Sequence, residues 1–272
     1  LVAHAAIQLR LADMPIVAGD AATIPDAALN AADVVLSTLA AAFSWEWRKA
    51  NPGGSWALTL LPGCVLLPWR TVCARLGMPA VGLTFKALLG GRYSLRDPTA
   101  WSPEAPYPER LENLAIEPPV FGSREERVFL GCIIESLAIF KEGLPAMVDA
   151  QQAVLDDDPA KCFAALRVVK TCANRLVTAF HKISPNPQNG DFYVDPIVWG
   201  KTVAPLNAPI NPEMNLPGGS GLYCPLFHVF DAFLGRTKYD SALGKEALHL
   251  REWFPPNWRA LIAALGEPSL SV

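Results

Sequence analysis

Leu216-Pro-Gly-Gly-Ser-Gly-Leu-Tyr-Cys-Pro-Leu-Phe-His-Val-Phe-Asp-Ala-Phe-Leu-Gly235 sets a glycine-rich loop directly against an apolar helix. Glycine has no Cβ, so Gly218, Gly219 and Gly221 let a backbone come close to a flat ligand. The apolar spacing predicts a helix over 223–234, with Asp231 as its one acid. Trp253-Phe-Pro-Pro-Asn-Trp-Arg259 follows closely, and a further helix is expected over 258–265.

Upstream of this stretch, residues 184–221 are rich in Pro, Asn and Gly around a short 192–199 segment. So long a loop reads as a lid or ligand wall. Before it, Asp158-Pro159 opens a helix with Asp as cap and Pro in the first turn. Its apolar set is Phe163, Leu166, Val169, Ala173, Leu176, Val177 and Phe180, at a period near 3.6 residues. Ser123-Arg-Glu-Glu126 is a capping box opening another helix, which carries Val128, Phe129, Cys132, Ile133, Leu137 and Ile139. Residues 97–119, rich in Pro and acids and containing Trp101 and Tyr107, read as a surface connector. Nearer the start, 26–49 is a helix ended by Asn51-Pro-Gly-Gly, and 56–67 is either a strand or a buried connector. Pro68 starts a helix that Gly77-Met-Pro79 closes, and an apolar segment, 81–89, runs to Gly90-Gly91. There is no internal repeat. The expectation is a mainly α chain with a small strand pair near the start, a smaller N-terminal domain over 1–118 and a larger helical domain over 119–272.

The 272 residues are 51% hydrophobic and 18% charged, which implies a large buried core. A net charge of -3 gives no electrostatic footprint for nucleic acid or an anionic membrane. No apolar run reads as a bilayer span. The cysteines Cys64, Cys73, Cys132, Cys162, Cys172 and Cys224 are scattered without a C-x-x-C pair, so free buried thiols and a reducing, cytoplasmic location are expected. With no start methionine or cleavage signal, the chain reads as the ordered part of something longer.

The Gly-Gly-Ser-Gly loop, the ungapped spacing from Ser220 to Asp231 and the ending Phe-Asp-x-x-Leu-Gly resemble the indoleamine 2,3-dioxygenase family. Leu60-Leu-Pro-Gly, Leu76-Gly-Met-Pro79 and Leu95-Arg-Asp-Pro98 occur in the same order as that family's small-domain segment, and the likeness runs from about Asp26 onward. It implies haem b as cofactor and O2 as cosubstrate, added across the C2–C3 bond of the indole of tryptophan or a related indole. It further implies that Gly131 leaves room over the iron, and that Gly219, Ser220 and Gly221 contact haem or the substrate amine. Phe180 and Phe227 would pack on the porphyrin, and Asp231 would anchor the proximal hydrogen bonds. Thr84, Phe85, Phe192 and Asp195 would line the substrate pocket. Each has a plainer reading beside it: Ser220 as a helix cap, the two phenylalanines as core, Asp231 as an acid paired with an Arg.

Three departures accompany the likeness. The family's proximal histidine lies well beyond its Pro-Pro motif, and none of His4, His181, His228 or His249 stands at a matching place, so a missing segment or a second chain would supply the ligand. His228 itself reads as structural. Asp195-Pro196 stands where the family clamps the substrate carboxylate with Arg, and an acid repels a carboxylate. A pocket tyrosine is replaced near Thr84-Phe85. These leave three readings. One is a haem-dependent indole dioxygenase. Another is an enzyme of specialised metabolism reusing the fold, with Asp195, Asp231, Glu135 and His228 as candidate acid/base groups. The third is a non-catalytic haem-binding subunit.

Overall fold

The computed structural model describes residues 10–267 apart from 12, 17, 101, 103–105, 215, 217 and 237, with the backbone alone for 18, 88 and 89. His4 and Trp101 lie outside the described residues. Two compact units emerge, each made of three separate stretches of chain: Leu1–Arg92, Glu117–Gly122 and Ile197–Gly221 form unit 1, while Tyr93–Ile116, Ser123–Pro196 and Leu222–Val272 form unit 2.

Unit 1 is built on α1 (Ala18–Ala21), α2 (Leu29–Ala50) and α3 (Gly63–Arg75), with a π turn over Lys86–Gly90. A 3-10 turn, Asp26–Ala28, leads into α2, and the Asn51 side chain and backbone N–H both donate to the Trp47 carbonyl at its end. By length and composition Asp26–Ala50 could cross a membrane, with a mean hydropathy of 1.4, contrary to expectation; half of that window is buried, as in a core helix. Helix α3 begins at Gly63 rather than at Pro68. The Pro62 carbonyl already accepts from Val65 and Leu66 at 2.9 and 3.0 Å, so the helix nucleates more than a turn before Pro68. Pro68 is carried inside the helix at the loss of one backbone donor. Hence 56–67 resolves into the 3-10 turn Leu58–Leu60 and the start of α3, with no strand. Two tryptophans tie the core: Trp69 Nε1 donates to Asp33 Oδ1 at 2.9 Å, and Trp56 Nε1 to the Ile210 carbonyl at 2.9 Å.

Unit 2 holds the strand pair: β1 (Tyr93–Leu95), just ahead of the stretch read as a connector, lies antiparallel to β2 (Leu114–Ile116) inside it, with Ser94 opposite Ala115. Helices α4 (Arg124–Leu155) and α5 (Pro159–Phe180) form its centre. Both starts are capped as the sequence predicts, Ser123 Oγ accepting from Glu126 N at 3.2 Å and Asp158 from Lys161 N at 3.0 Å. The buried side of α5 is Ala165, Val169, Cys172, Leu176 and Ala179, alternating four and three residues apart as in a coiled-coil seam. Seating that seam turns Phe163, Val177 and Phe180 to the surface. Along α4, a Cβ at Gly143 would stand 3.3 Å from the Cys172 Cβ, so glycine lets the two helices approach. Helix α6 (Pro196–Lys201) carries the chain out of unit 2, and α7 (Pro225–Phe233), α8 (Ala242–Leu250) and α9 (Pro256–Leu265) complete it. Phe230 of α7 meets Phe140 edge-on at 4.6 Å, and Gln151 of α4 donates to the Leu265 carbonyl at 2.8 Å. Helix α8 escaped the sequence reading, although Ser241 caps it through Gly244 N at 3.1 Å.

Candidate functional site

In unit 1, Thr84 and Phe85 are buried, and Thr84 Oγ1 accepts from Ala87 N at 3.2 Å, so the hydroxyl starts the π turn. The glycine loop divides its labour. Gly218 N–H donates to Asn207 O at 2.7 Å and Gly219 N–H to Leu206 O at 2.8 Å; a Cβ at Gly218 would collide with the Leu206 carbonyl. The first glycine therefore serves the protein's own fold. Gly221 is different: it is exposed, and a Cβ there meets nothing within 4 Å. Ser220 N–H donates back to Gly218 O at 2.8 Å, leaving its side chain half-exposed.

In unit 2, α7 presents two faces. Phe227 is 53% exposed. One residue on, His228 is buried with both ring nitrogens engaged: Arg251 Nε–H donates to Nδ1 at 3.0 Å, so Nε2 carries the proton it gives to the Leu222 carbonyl at 2.7 Å. The ring also meets Phe254 edge-on at 4.9 Å. Burial lowers its pKa and keeps it neutral, which makes this histidine structural. Asp231 pairs with Arg236 at 3.3 Å and accepts from Tyr239 Oη, the acid-with-arginine arrangement that the plainer reading described. Burial first, and then that hydrogen bond, push Tyr239 up to about 12, so it remains the donor.

Gly131 is buried in α4, and the space a Cβ would take is filled by the Leu111 side chain, with Leu114 Cδ1 at 3.7 Å. Four residues on, Glu135 is held by Leu111 N–H at 2.9 Å and by Lys182 Nζ at 2.8 Å. It braces the turn before β2. Asp195 accepts from Tyr193 Oη at 3.2 Å, and the Arg124 guanidinium lies over the Tyr193 ring at 4.7 Å. A cation thus stands on the segment where the sequence offers only an acid. Phe192, half-buried, ends the 3-10 turn Pro187–Phe192. Phe180, the last residue of α5, is 38% exposed. Glu135, Asp231 and His228 each hold partners of their own; the Asp231 charge is felt by His228 three residues back on α7, but the ring's two nitrogens are engaged by Arg251 and the Leu222 carbonyl.

An apolar cavity of about 310 Å³ lies among α4, α7 and α9, lined by Leu137, Phe140, Leu226, Val229, Trp258 and Ile262. Its one charged wall residue, Lys141, pairs with Glu109. Sequence reading placed these residues on helices but had no means of seeing the helices converge.

Does this set of residues suit haem? Within unit 2, the exposed phenyl faces of Phe180 and Phe227 are of the kind that suits the flat sides of a porphyrin. Of the described histidines, His228 is fully committed and His249 faces Glu252 at 3.8 Å, while His181, next to Phe180, is exposed with its ring unengaged among the described residues.

A family model described as indoleamine 2,3-dioxygenase matches residues 1–270. The chain belongs to the indoleamine 2,3-dioxygenase family. Its mainly α architecture is the one expected of that family, whose members are haem-dependent dioxygenases. No curated protein matches the chain.

Proposed function

We propose that this member of the indoleamine 2,3-dioxygenase family is a cytoplasmic enzyme that uses haem b and O2 to open the indole ring of tryptophan or a related indole. The observation that carries the reading is the family match over residues 1–270. When bound, haem supplies the activation of O2 for addition across the C2–C3 bond. The chain's own part is binding and exclusion of water. Phe180 and Phe227 each present an apolar face that gains by leaving water. Arg124, held over Tyr193 and paired with Glu125 at 3.2 Å, is the cation this reading assigns to a substrate carboxylate on the Asp195 segment. Asp231 and His228 fix the fold of α7 and do not move protons.

Titration with hemin, followed by dithionite and carbon monoxide, tests this reading. The expected result is a Soret band that sharpens with carbon monoxide and weakens in Phe227→Asp, followed by turnover of tryptophan or indole. A spectrum of free hemin throughout overturns it. Haem uptake without indole turnover would point instead to the non-catalytic subunit.

A further inference from the structure

The apolar cavity of about 310 Å³ in unit 2 plays no part in the haem reading. Helix α7 keeps the two apart. Its Leu226 and Val229 are buried and line the cavity, whereas Phe227, rotated about 100° or more from either, is exposed and does not. Helix α4 adds Leu137 and Leu144 to the walls, and α9 adds Trp258 and Ile262. Packed interiors hold few voids larger than a water molecule, so a space of this size forfeits contacts that a ligand would restore. A cavity of about 150 Å³ walled by Leu, Ile and Phe stays dry and takes benzene, so twice that volume suits about nine to twelve carbon atoms.

The walls also define what the ligand lacks. The described lining residues are leucine, isoleucine, valine, proline, phenylalanine, tryptophan and one lysine, and none of these side chains accepts a hydrogen bond. All three wall segments are helical, so their carbonyls serve the helices' own bonds. A ligand N–H or O–H would therefore enter without a partner. The one charged lining residue, Lys141, is already paired with Glu109, whose side chain is 8% exposed, and a ligand carboxylate would have to compete with that acid. We propose that this cavity binds a neutral, compact, hydrocarbon-like molecule without hydrogen-bond donors, such as a small terpene. Indole, with its N–H, is the wrong guest, so the site is distinct from one that serves chemistry on an indole.

Indene tests this, because it has the shape of indole with CH2 in place of the N–H. The whole chain, labelled with 5-fluorotryptophan, is titrated with indene and with indole and followed by fluorine NMR. The resonance missing from Trp258→Phe shifts saturably with indene, while that of Trp69, enclosed in unit 1, stays in place. Indole binds at least about fivefold more weakly, the cost of one stranded donor. Val229→Phe, at a buried wall, and Leu144→Phe, at a half-buried one, fill the space, keep or raise the melting temperature and weaken indene at least about tenfold. Zinc protoporphyrin, a diamagnetic stand-in for haem, leaves indene binding unchanged. A chain that takes up no hemin still binds indene, so this outcome is separate from that of the haem titration. A Trp258 signal unmoved in buffer saturated with indene overturns the proposal. So does indole binding as tightly as indene, indene binding untouched in both filled variants, or displacement of indene by the porphyrin.

Discussion

Replacing Lys182 by Met isolates the bracing role of Glu135. The Glu135 side chain is 4% exposed and its carboxylate is held by the Leu111 N–H and the Lys182 ammonium, which also reaches Glu112 at 3.0 Å. Methionine keeps much of the apolar stem and removes the charge, leaving an anion in the interior with one N–H. Breaking a buried pair in this way costs about 3–5 kcal/mol. Because the Lys182 side chain is 20% exposed, water screens part of the interaction, and the lower end, about 3 kcal/mol, is expected. With a urea slope near ~3 kcal/mol per molar, the midpoint of a far-ultraviolet dichroism transition falls by about 1 M. Adding Glu135→Gln removes the stranded charge while keeping an acceptor for Leu111 N–H, so the double variant recovers about half the loss. A midpoint for Lys182→Met within about 0.2 M of wild type would refute the argument, as would a double variant whose loss is the sum of the singles.

Three shorter predictions follow from the same geometry. Gly218→Ala forces a methyl against the Leu206 carbonyl and lowers stability by about 1–3 kcal/mol, whereas Gly221→Ala enters open space and stays within about 0.5 kcal/mol; thermal melts compare them directly. Burial depresses the His228 pKa, so the unfolded chain takes up that proton first as pH falls. Its contribution is present above about pH 7.5 and is lost as pH drops through the unfolded value near 6.5 toward the folded one. Denaturation at pH 7.5 and 5.5 therefore shows a smaller loss in His228→Gln than in wild type. Burial pushes the thiols of Cys132 and Cys224 up to about 12, so at pH 8 a disulfide reagent modifies half-buried Cys162 first, and Cys162→Ser removes that fast phase.

Local chemistry was legible wherever one side chain decides an outcome. Ser123 and Asp158 announce their helices because each oxygen meets an orphan N–H within three residues. Long-range packing was not. Pro68 suggested a start, yet a second proline at 62 and a free run of amides nucleate α3 sooner. The apolar period of α5 admits two faces, and only the partner helix chooses the one through Val169 and Cys172, exposing Phe163 and Phe180. Among the candidate site residues, Asp231 and His228 took the plainer readings offered for them, an acid paired with an arginine and a structural histidine, but their particular partners, Arg236, Tyr239, Arg251 and a carbonyl, could not be picked out from sequence. Gly131 looked like vacancy over a ligand because a sequence cannot show that Leu111 fills it.

The threading of unit 1 from three stretches bears on how the chain is born. The Ile210 carbonyl that receives Trp56 Nε1 and the Pro209 carbonyl that receives Arg48 belong to the last of those stretches, Ile197–Gly221. A ribosome that has delivered the first 92 residues has delivered the donors without their acceptors. Those indole and guanidinium groups wait until more than a hundred further residues emerge, among them α4 and α5, whose mutual seam is complete on its own by Phe180. The α4–α5 pair is thus in a position to acquire order before either unit is complete, while Arg48 and Trp56 wait for their acceptors.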